Sequence, residues 1–220
     1  TDEKIKYRPF LIKEEKILLI AMESGENKDI IQSVKQIVSE CTFNTLKVGE
    51  MPMFDIEYLF LNIRAKSVGE ISKLKVLCQD DKETYATVEV DLNEIEVQVD
   101  DAHTNKIELS EEMGVIMKYP SIDSFSKAGI AEITASNMLD VVVTCIAQIY
   151  DKKGEEVYDS KDSTEKELIE FVEQLNTKQF AEVQKFFDTM PKLRHEVTVK
   201  NPKTKKESKI VLTGLNDFFV

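Results

Sequence analysis

The chain has 220 residues, 42% of them hydrophobic, and a formal net charge of −12. That length supports one substantial core or two small ones, and the apolar content excludes wholesale disorder. The excess of acid disfavours nucleic-acid binding, which relies on Lys and Arg neutralising phosphates; acidity instead serves solubility or complements a basic partner surface.

Residues 9–68 read as helical. Pro9 suits a first helical turn, and Ile12, Ile17, Leu18, Ile20 and Ala21 mark the apolar side of a first helix. After the turn Ser24-Gly25-Glu26-Asn27, a second helix follows from Ile30, Ile31, Val34, Ile37, Val38 and Cys41 at helical spacing. Gly49 and Pro52 interrupt the chain before a strongly apolar helix from Phe54 to Val68, which is expected to be buried on most of its circumference. Arg64 and Lys66 lie in its last turns and Gly69 follows, as suits a helix end.

The period changes near Ile71. Leu74, Val76 and Cys78 alternate with polar residues; so do Tyr85, Thr87, Val88 and Val90, with one slip, and then Ile95, Val97 and Val99. Asp80-Asp81-Lys82-Glu83 is a turn, and Ile107, Leu109, Val115 and Met117 predict more strand before Tyr119-Pro120. Helix returns after Ser121. Met138 to Tyr150 is read as a buried helix despite the β-branched run Val141-Val142-Val143-Thr144. Ser163-Thr164-Glu165-Lys166-Glu167 is a helix start, with Leu168, Ile169, Val172 and Leu175 as its stripe. Phe180, Val183, Phe186 and Phe187 mark the next helix, which Pro191 ends. Val197 and Val199 against Ile210 and Leu212 predict a hairpin around a basic turn, Asn201 to Lys206. A short echo accompanies it: strand, turn, strand, then Leu92-Asn93-Glu94-Ile95 in one place and Leu215-Asn216-Asp217-Phe218 in the other.

The fold class is therefore α+β, with N-terminal helices, a small central antiparallel β region, a second helical segment and a C-terminal hairpin. The segments are 1–70, 71–120, 121–191 and 192–220, with 71–120 as an insertion if the two helical regions pack together; one domain or two both fit the pattern.

Chemistry is sparse. Cys41, Cys78 and Cys145 are odd in number and far apart, which argues against a disulfide framework and for a reducing cytosol. No apolar run approaches the ~18 residues of a membrane span, and the N-terminus carries no secretory pattern. No Gly-x-Ser-x-Gly elbow or Gly-rich phosphate loop occurs. His103 and His195 sit among polar residues and read as surface histidines, and acidic pairs such as Asp80-Asp81 read as solvated. No enzyme, cofactor, metal site, nucleic-acid partner or membrane partner is expected.

Five stretches carry a resemblance. Phe54 to Glu70 is similar to the signature of the T-even-type phage baseplate family, the hub-assembly proteins of contractile-tailed viruses. Tyr7 to Ala21 resembles its opening helix, Gly114 to Pro120 its central motif, Phe186 to Leu193 its late motif and Leu212 to Phe219 its closing one. The resemblance implies a tail protein acting in baseplate hub assembly by binding hub or tape-measure proteins, with self-association as a further partner class. It acts in the host cytoplasm during assembly, either leaving as a chaperone or staying in the virion baseplate as a subunit. The partner-binding candidates are Phe187, Met190, Phe218, Phe219, Arg64 and Lys66. In relatives the C-terminal hairpin resembles a zinc ribbon with a cysteine knuckle; here Asn201-Pro202-Lys203-Thr204 takes that place, so the hairpin is expected without zinc. A second class, a small regulator or nucleic-acid-linked protein, rests on the basic residues Lys200 to Lys206 alone.

Overall fold

The computed structural model describes residues 4–128, 134, 136–151 and 157–218. In chain order its elements are α1 (Ile12–Ser24), α2 (Asn27–Cys41), α3 (Met53–Val68), β1 (Ile71–Leu77), β2 (Tyr85–Asp91), β3 (Glu96–Gln98), β4 (Lys106–Glu108), β5 (Met113–Met117), α4 (Ile122–Lys127), α5 (Met138–Cys145), β6 (Ile146–Asp151), β7 (Val157–Asp159), α6 (Glu165–Glu173), α7 (Thr177–Thr189), β8 (Lys192–Lys200) and β9 (Glu207–Thr213). This is an α+β protein with small antiparallel sheets. It divides into two compact units: Thr1–Val48 with Phe54–Gln98 and Pro191–Val220, and Gly49–Met53 with Val99–Met190. These boundaries cut the β-rich stretch 71–120, because β3 pairs with β8 rather than with the strands that follow it.

In the first unit, β1 pairs with β2, and β3, β8 and β9 form a three-stranded sheet in that order. The slip in the alternation of the second strand resolves simply. Ala86 and Val90 face the core, Val88 packs against it, and Tyr85 points outward. Leu74 and Val76 of β1, Leu193 and Val199 of β8, Leu212 of β9 and Leu61 of α3 close one core. After both hairpins the chain makes a 3-10 turn, Leu92–Glu94 and Leu215–Phe218, so the sequence echo is a structural one. Each turn drives one apolar residue inward: Leu92 and Phe218 are both buried. Pro9 is not helical; α1 begins at Ile12, with Leu11 as its extended N-cap.

The second unit is a four-stranded sheet, β4-β5-β6-β7, packed with α4 to α7. Three of its helices, α4, α6 and α7, start at side-chain caps. Ser121, Thr164 and Asn176 each accept a backbone N–H of the first turn, and in each case the third helical residue answers with a side-chain contact to the cap N–H. Residues 138–150 do not form one helix. The β-branched run stays helical because Val141, Val142 and Val143 are in the core, a tertiary override of a weak local preference. At Ile146 the backbone turns extended, and Ile146 pairs with Met117 as the first residue of β6.

Gly114 opens the central motif and sits in β5 opposite Tyr150. A Cβ there would lie 2.2 Å from the Tyr150 hydroxyl and 2.6 Å from the Ile107 carbonyl oxygen. Gly25 meets nothing within 4 Å but has a φ of +69° as the C-cap of α1. Gly114→Ala should therefore cost about 3 kcal/mol through overpacking against a paired backbone, and Gly25→Ala only about 1 kcal/mol through its left-handed backbone. Urea unfolding of the two variants checks the order; equal losses would contradict the packing argument.

Candidate interaction surfaces

The opening motif is held by charge. Glu14 has no solvent exposure, yet its carboxylate accepts from Arg8 Nη2 at 2.7 Å and from the Leu11 N–H at 2.7 Å. Lys13 Nζ lies 3.3 Å from Glu14 and 2.8 Å from Glu40 of α2, and the Arg8 N–H donates to the Cys41 carbonyl at 2.9 Å. Burial alone would raise the Glu14 pKa, but the hydrogen bonds from Arg8, Leu11 and Lys13 outweigh it and hold the carboxyl at about 2. Behind this network Phe10 stacks on Phe60 of α3 with ring centroids 6.3 Å apart, and its N–H donates to Ser67 Oγ at 2.9 Å. Opening motif and signature helix are thus one contact.

With its inner side fixed by Glu14, Leu18 and Ala21, α1 turns an apolar side to solvent. Ile12 is 83% exposed, and Leu11, Leu19 and Ile20 are each more than half exposed. Sequence periodicity places Ile12 and Ile20 on the core side; the structure places them outside. Beside them, a groove of about 580 Å³ runs between α1 and α2, floored by Ile17, Ile20 and Ala21 and rimmed by Ser24, Gln32 and Gln36.

In the second unit, His103 is half-buried rather than a surface residue. Its Nδ1 lies 2.9 Å from Thr189 Oγ1 and its Nε2 3.0 Å from the Tyr119 hydroxyl. Thr189 commits its hydrogen to the Lys185 carbonyl at 2.7 Å, so His103 donates to Thr189 from Nδ1 and accepts from Tyr119 at Nε2. The imidazole also stacks with Tyr119 and leans on Phe186, at 5.6 and 5.2 Å. Tyr119 and Phe186 stack at 5.5 Å, which joins the central and late motifs. Neutral imidazole completes this relay, and desolvation lowers the His103 pKa.

The sequence-chosen candidates differ in exposure. Phe187 is half-buried and meets Phe186 edge-on, and Met190, also half-buried, caps α7. Lys66 is exposed and lies 3.1 Å from Glu70, while Arg64 is half-buried, its pKa lowered by desolvation. Phe218 has no exposure and belongs to the hairpin core, so it offers nothing to a partner in this conformation. Phe219 lies outside the described residues. In the basic turn, Lys203 lies 3.9 Å from Glu83 and Lys200 3.9 Å from Glu207, so neighbouring acids offset its charge.

Two pH dependences follow. For Glu14, the folded pKa of about 2 lies below the 4.5 of a free side chain. Its stabilisation is complete above pH 4.5 and is lost as pH falls toward 2. Glu14→Gln should remove that acid-side slope and cost about 2 kcal/mol near neutrality, less than a fully buried pair because Arg8 keeps some exposure. For His103, the folded pKa lies below the free value of 6.5. Stability is complete above pH 6.5 and falls as pH drops below it. Thermal melting from pH 8 to 5 should decline in the native protein and flatten there in His103→Phe.

Comparison with known proteins gives one strong result. A family model described as T4 bacteriophage base plate protein matches residues 1–220. No curated protein and no solved structure matches the chain. The match covers the helices, both hairpins and the contacts between the motifs, and the chain belongs to the T4 bacteriophage base plate protein family.

Proposed function

We propose that this protein acts in assembly of the baseplate hub, by binding a hub or tape-measure protein rather than by catalysis. The observation that carries this reading is the family match over residues 1–220. The exposed side of α1 supports it. Leu11, Ile12, Leu19 and Ile20 form an apolar surface on a helix anchored from behind, the kind of face that gains most by being covered. Phe187, Met190, Arg64 and Lys66 are further contact candidates. The protein works in the host cytoplasm while tails are built, and either leaves the particle or remains in its baseplate.

Quantitative mass spectrometry of purified virions beside infected-cell lysate, with affinity capture from the lysate, tests the reading. Stoichiometric presence in virions makes the protein a hub subunit. Presence only in lysate, bound to hub or tape-measure protein, makes it an assembly chaperone. Capture of no tail protein from either sample sinks the proposal. The double variant Ile12→Asp/Leu19→Asp should melt within about 2 °C of the native protein, because exposed substitutions change stability little, yet it should capture less than a tenth of the partner. Undiminished capture would remove α1 from the binding surface.

A further inference from the structure

The tips of the two hairpins of the first unit begin alike and close differently: the Cys78 N–H donates to the Thr84 carbonyl, and the Asn201 N–H to the Lys206 carbonyl one position sooner. In the β1–β2 turn, Cys78 is buried, its carbonyl accepts the Lys82 N–H at 3.0 Å, and Lys82 has a φ of +54°. In the β8–β9 turn, Asn201 is buried, its carbonyl accepts the Lys205 N–H at 2.9 Å, and Lys205 has a φ of +65°. In each turn the first residue is inside, the fifth returns its N–H to the first, and that fifth residue is left-handed without being glycine. The runs Cys78-Gln79-Asp80-Asp81 and Asn201-Pro202-Lys203-Thr204 match position for position. The side-chain caps sit at different places: first-position Asn201 Oδ1 accepts the N–H groups of Lys203 and Thr204 at 2.8 and 3.1 Å, and fourth-position Asp81 Oδ1 those of Glu83 and Thr84 at 3.1 and 3.0 Å.

The two tips meet through Asp80. Asn201 Nδ2 donates to Asp80 Oδ1 at 2.8 Å, and Thr204 Oγ1 donates to Asp80 Oδ2. First and fourth positions of two facing tight turns are where structural zinc sites place their four ligands, two from each C-x2-C knuckle. The residues in those places do not fit zinc. Cys78 is the single sulfur; Asp81 spends its carboxylate on its own turn, on the Thr84 hydroxyl at 2.6 Å and on the Asn201 side chain. Asn201 and Thr204 bring an amide and a hydroxyl, both donating to Asp80, and no His is present. Among the described residues, no group of three or more His, Cys, Asp or Glu is arranged to hold a metal ion.

We propose that this joint is a four-ligand metal frame, at Cys78, Asp81, Asn201 and Thr204, in which a hydrogen-bond clasp centred on Asp80 does the work of the ion. The two turns keep their first and fourth positions, and the link between hairpins is made by charge-assisted hydrogen bonds instead of thiolate bonds.

Two experiments decide it. In the full native chain, thermal melting should be unchanged by a zinc chelator or by added Zn2+, and Asp80→Ala should lower the midpoint by about 5 °C. A chelator-induced drop, stoichiometric zinc in the purified protein, or an unchanged Asp80→Ala midpoint would each overturn the clasp. The frame is tested by Asp81→Cys/Asn201→Cys/Thr204→Cys beside native Cys78. With Co2+ this variant should bind one equivalent and show the strong visible absorption of tetrahedral thiolate coordination; the matching triple-serine variant should show none. If the triple-cysteine variant needs metal in order to fold, the frame is upheld. If it binds cobalt no better than the serine variant, or fails to fold with metal as well as without it, the frame is refuted.

Discussion

The pairing of β3 with β8 is the constraint on which the first unit depends. The chain leaves that unit after Gln98 and re-enters at Pro191, and Gln98 lies opposite Lys192 in the resumed sheet, followed by Val97 opposite Leu193 and Glu96 opposite Arg194. Until the chain returns as β8 and β9, the hairpin core lacks Leu193, Val197, Val199, Leu212 and Phe218, and Leu61 and Ala65 of α3 share a core with the β1–β2 hairpin alone. A core assembled from chain segments this far apart carries a large loop-closure cost before its contacts reward it. In the second unit the strands pair in chain order, β4-β5-β6-β7, with α4 and α5 inserted between β5 and β6.

The stretches that carry the family resemblance are separate in sequence and paired in structure. Opening motif and signature helix meet where Phe10 stacks on Phe60 and donates to Ser67. Central and late motifs meet where Tyr119 and Phe186 stack on His103. The polar residues of these motifs have physical reasons to be there. Arg8 neutralises a carboxylate that burial would otherwise force to protonate, and Gly114 leaves the space that the Tyr150 hydroxyl fills.

Much of the secondary structure was legible because its determinants are local. A capping segment at Ser163-Thr164 marks α6, an apolar stripe marks α7, and period-two alternation marks both long hairpins. What could not be read is whatever depends on a distant partner. Ile95 to Val99 reads as a strand, but nothing in it names β8 as its mate. Ile146 to Tyr150 is as apolar as the helix before it, and only β5 makes it a strand. His103 reads as exposed because its sequence neighbours are polar, whereas its enclosure comes from Tyr119, Phe186 and Thr189. Of the candidate contact residues, Phe218 illustrates the limit: an aromatic near a chain end is equally a core plug and an adhesive tip until the hairpin above it is seen.

The same limit hides the outer face of α1 and explains why it is informative. Ile12, Ile17, Leu18, Ile20 and Ala21 are apolar alike, and one-dimensional periodicity assigns them together to a core. The structure separates them by a cause that is not hydrophobic. The Arg8–Glu14–Lys13–Glu40 charges and the Cys41 carbonyl fix the rotation of α1 about its axis, so Leu18 and Ala21 go in and Ile12 and Ile20 go out. A polar anchor on the buried side allows the other side to be apolar without being needed for folding. Folding and the use of the exposed face therefore draw on different residues of one helix, and substitutions on the outer face can report binding without confounding it with stability.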